Sequence, residues 1–142
     1  MSKEKKVMVS GCYDLLHAGH IAFFRSAAAY GRLYVGIGRD EVILELKGKK
    51  TMFNQDERAY IVSSIKYVEE AFISTGSGIL DFEPELDRIR PDIFVVNTDG
   101  HSPEKEELCR RKGIEYIVLE RIPEPGLPAR SSSGIKNGNG LT

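Results

Sequence analysis

Cysteine is scarce, apolar runs of membrane length are missing, and neither sign of charge is in clear excess. The 142 residues include two cysteines, Cys12 and Cys109. Two isolated thiols build neither a disulfide framework nor a metal-ligand cluster, and both are expected to be free. Spanning a bilayer takes about 20 consecutive apolar residues, and the chain has no such run. Its first residues also lack the apolar centre of a secretory signal. The expectation is a cytoplasmic protein without membrane insertion. Lys and Arg total 20 against 21 Asp and Glu, a formal net charge of -1 with neutral His. That balance provides no broad field for nucleic acid, yet it permits a local basic site for phosphates.

What the chain does have is an alternation of short apolar runs with helix-compatible segments. Its length suits one domain with a substantial core. Residues 1–136 are expected to form that domain, and residues 137–142 a mobile tail. Residues 7–9 read as a strand and residues 21–30 as a helix. Residues 33–38 are nearly continuously apolar, as suits a strand covered on both faces, and Arg39, Asp40 and Glu41 return the chain to solvent. Residues 45–51 read as a basic loop. Asn54 can cap the next helix, with Glu57 at the reciprocal position and Ile61, Val62, Ile65 and Val68 as an inward stripe. Residues 67–73 give a weaker strand signal, and residues 79–89 a helix interrupted or initiated by Pro84. Residues 93–96 form a firmer strand, Ser102 and Pro103 open a surface helix, and residues 114–119 return to the sheet. This order predicts an α/β, doubly wound, Rossmann-like domain with a mostly parallel, five-stranded sheet and right-handed crossovers.

The chemistry concentrates at the first strand-to-helix turn. Gly11 permits a sharp exit from the strand. A phosphate brought there would meet backbone N–H groups of a helix start and the imidazoles of His17 and His20. Imidazole donates a hydrogen bond to a phosphate oxygen whether neutral or protonated. For either histidine alone a plain capping turn is the better reading; the pair in this context favours phosphate chemistry. Downstream, Lys47, Lys49 and Lys50 form either a solvated turn or a cationic loop, and Arg58 either an exposed ion pair or a phosphate brace. Asp99 lies at a strand end, where ligands gather in open α/β folds. It either orients acceptor hydroxyls or a hydrated metal, or caps the adjacent turn; His101 reads as a surface turn. Ser131, Ser132 and Ser133 follow a proline-rich stretch and can cap a short terminal helix whose N–H groups face phosphates.

Gly11, Asp14, His17, Gly19 and His20 spell G-x-x-D-x-x-H-x-G-H, which resembles the signature of the cytidylyltransferase-like nucleotidyltransferase family. The lysines before Arg58 resemble that family's substrate loop and the Arg-bearing helix after it. Arg121 matches its Arg upstream of the last motif, and residues 130–136 resemble its I-S-S-T-x-I-R ending. Ala28 and Gly31-Arg32 depart from the pattern, where a basic residue and Gly-Asp are usual. The resemblance implies transfer of a nucleoside monophosphate from CTP or ATP, with Mg2+, to a phosphorylated small-molecule acceptor, releasing pyrophosphate. It implies catalytic roles for His17, His20, Lys47, Arg58 and Arg121. It also implies nucleotide-side contacts for Gly11, Tyr13, Asp14, Gly19, Lys49, Asp99, Ser131, Ser132 and Ser133, with no residue assigned as a direct metal ligand. The leading expectation is a CTP-dependent cytidylyltransferase, working as a homodimer on a phosphorylated polyol, sugar or heptose in envelope or lipopolysaccharide biosynthesis. The alternatives are an adenylyltransferase acting on FMN or another phosphorylated cofactor precursor, and a noncatalytic nucleotide-binding regulator.

Overall fold

Strands and helices, described by a computed structural model over residues 4–120 and 123–128, alternate along the chain as the apolar runs predict. Strand β1 (Lys6–Gly11) leads to helix α1 (Ala18–Ala28), β2 (Arg32–Ile37), α2 (Asp40–Lys47), α3 (Gln55–Ser63), β3 (Val68–Ile73), α4 (Glu83–Ile89), β4 (Ile93–Asn97), α5 (Pro103–Lys112) and β5 (Glu115–Leu119). The sheet runs in the order β3-β2-β1-β4-β5. Every neighbouring pair is parallel. The Rossmann-like, five-stranded sheet is therefore present, and all of its pairings are parallel.

Alternation along each strand sorts its side chains onto two faces. Val7 and Val9 of β1, with Val35 and Ile37 of β2, share a core with Phe24 and Ala27 of α1 and Val62 of α3. Met8, Tyr34, Phe72, Phe94 and Val96 face the other way and share a second core with Leu86 and Ile89 of α4 and Leu108 and Cys109 of α5. Helices on both faces are what make these strands read as continuous apolar runs rather than alternating ones.

Helix α2 replaces the exposed turn and much of the basic loop that the sequence suggests between residues 39 and 51. Only Val42 and Ile43 of its 8 residues are buried, too faint a stripe for periodicity to reveal. Asp40 and Glu41 lie at its positive end and Lys47 in its last turn, an arrangement that suits the helix dipole. Gly48, at φ 70, ends it, so the basic loop begins there. Helix α1 reaches back to Ala18, further than its apolar pattern suggests. Residues 79–89 divide into a 3-10 turn at Gly78–Leu80 and α4, with Pro84 in the first turn of the helix. The Asn54 side chain caps α3 by accepting from Glu57 N at 2.8 Å. Ser102 caps α5 by accepting from Lys105 N at 3.2 Å.

Gly31 sets the entry to β2. It has φ +155, and a Cβ on it would lie 2.3 Å from Lys5 O, the same carbonyl that accepts from Arg32 N at 2.8 Å. Gly113, the cap of α5, also has positive φ (+71), but a Cβ there would meet nothing within 4 Å. Gly113→Ala is expected to cost about 1 kcal/mol from the left-handed backbone alone. Gly31→Ala, which adds a collision with backbone, is expected to cost on the order of 3 kcal/mol. Thermal unfolding of the two variants side by side measures the difference.

Candidate active site

Strands β1 and β4 are the neighbours at which the winding of the sheet reverses. Their ladder consists of Val7 with Ile93 and Met8 with Phe94. Beyond it β1 runs on to Gly11 beside β2, and β4 runs on to Asn97 beside β5. The two strands part toward their C-terminal ends, which opens the crevice where parallel α/β sheets receive ligands.

The chain leaving β1 is folded tightly into this crevice. Tyr13 adopts φ 53, uncommon for a residue with a side chain. Its ring turns back over Gly11, where a Cβ would lie 2.8 Å from Tyr13 Cζ. The ring packs at 5.2 Å from Phe24 and edge-on at 5.8 Å from His20. Burial, with Cys12 adding to it, pushes the Tyr13 phenol well above its ordinary range. Tyr13 thus packs in the core with its ring edge-on to that of His20.

His17 and His20 form a reciprocal cap at the start of α1. Gly19 N donates to His17 Nδ1 at 3.1 Å, and His17 N donates to His20 Nδ1 at 3.2 Å. The ring centroids are 4.0 Å apart. A Cβ on Gly19 would lie 2.9 Å from His17 Cε1, so the glycine is what lets the ring fold over the turn. With Nδ1 of each ring accepting from backbone, a neutral imidazole carries its proton on Nε2. Two donors of fixed tautomer therefore stand at the positive end of a helix whose first turn contains no acidic residue.

A second network fixes the approach to this turn. Asp14 is 5% exposed and accepts from Met52 N at 2.7 Å and Phe53 N at 2.9 Å. Arg58 is 0% exposed. Its guanidinium donates to Cys12 O at 2.8 Å, Phe53 O at 3.0 Å and Asp40 Oδ1 at 2.6 Å. Asp40 also accepts from Thr51 Oγ1 and Gln55 N, while its own N–H donates to Gln55 Oε1. Burial raises the Asp40 pKa, but the hydrogen bonds from Arg58 and Gln55 and the Arg58 charge outweigh it and hold the carboxyl below the usual range. Arg58 is thus neither the exposed ion pair nor the direct phosphate brace suggested by sequence. It positions the loop.

Lys47, the last residue of α2, and Lys49, past the Gly48 cap, are exposed at the near end of that pinned loop. Asp99 lies exposed in a 3-10 turn directly after β4. The side-chain cap of that turn is Asn97, which accepts from Gly100 N at 2.8 Å. His101 packs against Tyr116, consistent with a surface turn. Arg121, Ser131, Ser132 and Ser133 lie outside the described residues, as does the 137–142 tail. Cys12 and Cys109 form no disulfide with each other, and burial pushes the Cys109 thiol up to about 11. Among the described residues, no group of three or more His, Cys, Asp or Glu could hold a metal ion. No helix among them is long and apolar enough to cross a membrane.

The profile of the cytidylyltransferase-like family matches residues 8–138. The chain belongs to this family. Among the relatives of this cytidylyltransferase-like chain is an FAD synthase of Aciduliprofundum boonei, 38% identical over 117 residues, covering 80% of this chain and 76% of that protein. An FAD synthase of Picrophilus torridus is 32% identical over 133 residues, covering 92% of this chain and 93% of that protein. A crystal structure of a lipopolysaccharide core biosynthesis protein from Thermoplasma volcanium superposes with a TM-score of 0.70 at 25% identity, covering 86% of this chain and 99% of that one. The family membership makes the chain a nucleotidyltransferase, with a nucleoside triphosphate and a small-molecule acceptor as its substrates.

Asp40, Gln55 and Asn97 are the structural partners that sequence reading passed over. Asp40 carried a signal, as an acidic residue immediately beyond an apolar strand, but its partner is 18 residues away. Replacing the buried cation by Arg58→Met is expected to lower stability on the order of 2 kcal/mol, because two carbonyls and one carboxylate lose their donor. Asp40 contributes stability above the ordinary carboxylate range and loses it as pH falls through its depressed pKa. Asp40→Asn is therefore expected to flatten the acid limb of the stability curve below about pH 4, read by denaturant unfolding at a series of pH values.

Proposed function

We propose that this nucleotidyltransferase is an FMN adenylyltransferase, joining AMP from ATP to the phosphate of FMN to form FAD and pyrophosphate. The observation that carries the choice of substrates is the similarity to FAD synthases along nearly the whole chain, 32% identity across 92% of it in one case. It favours the adenylyl reading over cytidylyl transfer to a polyol, sugar or heptose phosphate. The geometry of the twin-imidazole cap supports the class of chemistry.

An oxygen of the FMN phosphate attacks the α-phosphorus of ATP in line. The new P–O bond forms as the bond between the α-phosphorus and its bridging oxygen breaks, and pyrophosphate departs with that oxygen. The nucleophile is already anionic at neutral pH, so the reaction asks for alignment and charge stabilisation rather than a strong base. Nε2–H of His17 and His20, with the N–H groups at the start of α1, meets negative charge growing toward the leaving group. Lys47 and Lys49 supply positive charge for phosphate oxygens, and the Asp14–Arg58 network holds the loop beside them in place. Mg2+ bound with the nucleotide would supply positive charge to the triphosphate.

Purified protein with ATP, Mg2+ and FMN is expected to yield FAD and pyrophosphate in equal amounts, followed by chromatography and a pyrophosphate assay. His17→Asn retains a side-chain acceptor for the cap but loses the ring donor. Turnover is expected to fall about 10²- to 10³-fold, with the unfolding midpoint nearly unchanged. Product from CTP and a sugar or polyol phosphate, with none from FMN, would establish the cytidylyl reading instead. Saturable nucleotide binding with no pyrophosphate across all acceptors would establish a regulator.

A further inference from the structure

Of the two strands that part at the crevice, β1 leads into the histidine turn and β4 leads into the 3-10 turn Thr98–Gly100. That second turn therefore walls the crevice on its β4 side, with Thr98 and Asp99 exposed. A lone 3-10 turn has poor hydrogen-bond geometry of its own. This one is fastened from outside. Gly100 N donates to Asn97 Oδ1 at 2.8 Å, and Lys105 Nζ, from the start of α5, donates to Gly100 O at 2.8 Å. Beyond the turn, His101 Nδ1 lies 3.0 Å from the Tyr116 hydroxyl of β5, which also accepts from Ser102 N at 3.4 Å. Tyr116 is itself stacked on Phe94 of β4, with the rings 10° from parallel.

Lys105 is the member of this set that packing explains least. It is half-buried; burial pulls the pKa of its ammonium down, and the Asp81 carboxylate opposes the shift. An apolar side chain would fill the same space without losing hydration. What the ammonium adds is a charge-assisted hydrogen bond to one carbonyl of the turn. The backbone of the same residue is fixed as well, because Lys105 N donates to the Ser102 cap at 3.2 Å. The tether thus runs from a capped helix start to the residue that follows Asp99.

We propose that Lys105 and Tyr116 are positioning residues for the nucleotide, holding the Thr98–Gly100 turn so that Asp99 meets the ribose hydroxyls of ATP. With the triphosphate at the start of α1, on one wall of the crevice, the sugar of the same molecule reaches toward the other wall. Its vicinal hydroxyls present two donors, and a carboxylate answers with two acceptor oxygens. Lys105 and Tyr116 act through the turn and need not touch the substrate. The inference rests on the nucleotide half of the reading above and is independent of which acceptor is used.

Titration calorimetry of the full chain with ATP and Mg2+, and again with 2′,3′-dideoxy-ATP, tests it, because the ratio of the two affinities does not depend on how much of a variant is folded. The wild type is expected to prefer ATP about 10- to 100-fold, as hydrogen bonds to a charged acceptor imply. Asp99→Ala should nearly erase that preference. Lys105→Met should reduce it about 5-fold and Tyr116→Phe about 3-fold, whereas Lys105→Arg, which keeps a cationic donor, should recover most of it. Adding Lys105→Met to Asp99→Ala should reduce it no further, since both act through one contact. Equal weakening of both nucleotides by Lys105→Met, with the preference intact, would assign Lys105 to the fold alone and overturn the proposal. A wild type that binds the two nucleotides equally would overturn it too. The expected preference in a chain that makes no FAD from FMN would remove the acceptor reading and leave this one standing. A chain that binds CTP but not ATP would remove the adenylyl reading, and the same comparison with CTP and its dideoxy analogue then decides for or against the turn.

Discussion

The fully buried guanidinium of Arg58 ties together three parts of the chain that meet at the crevice. It donates to Cys12 O in the exit from β1, to Phe53 O at the end of the basic loop and to Asp40 at the start of α2. A cation can be held away from water only where its N–H groups find acceptors. Those acceptors come from segments that would otherwise move independently. Asp14 makes the complementary tie, accepting the N–H groups of Met52 and Phe53 on the other side of the same loop. The two residues together anchor the stretch of chain that carries the lysines, as a site for a polyanion would require.

The turn after β1 meets the same demand with few atoms. The two histidines satisfy backbone donors at a helix start with Nδ1 and thereby orient the remaining ring nitrogen. One nitrogen of each ring holds the helix start, and the proposed chemistry uses the other. The spacing of the motif follows from this geometry. Gly11 makes room for the Tyr13 ring, and Gly19 for the His17 ring. His17 and His20 stand three positions apart because a reciprocal cap joins the first residue outside a helix to its third residue.

Much of the fold was legible because parallel strands covered on both faces must be apolar throughout, and helix starts need side-chain acceptors. The strands around Val9, Val35 and Val95, and the caps at Asn54 and Ser102, are of this kind. Helix α2 was not legible, since a short helix burying only Val42 and Ile43 has almost no period. Within the site, His17, His20 and Gly19 could be read as a unit because their partners are near in sequence. Arg58 could not: its cation looks the same in sequence whether it meets a phosphate, solvent or a buried carbonyl.

By itself the sequence determined the class of fold, the histidine-bearing turn after β1 and the nucleotidyltransferase family, because each rests on contacts within a few residues or on the period of apolar side chains. Tertiary structure alone decided that Asp14, Arg58 and Asp40 brace a loop and that Tyr13 belongs to the core. Those roles depend on segments brought together by parallel crossovers, over separations that carry no periodic or local signature. A charged side chain acquires its function from the acceptors that folding delivers to it.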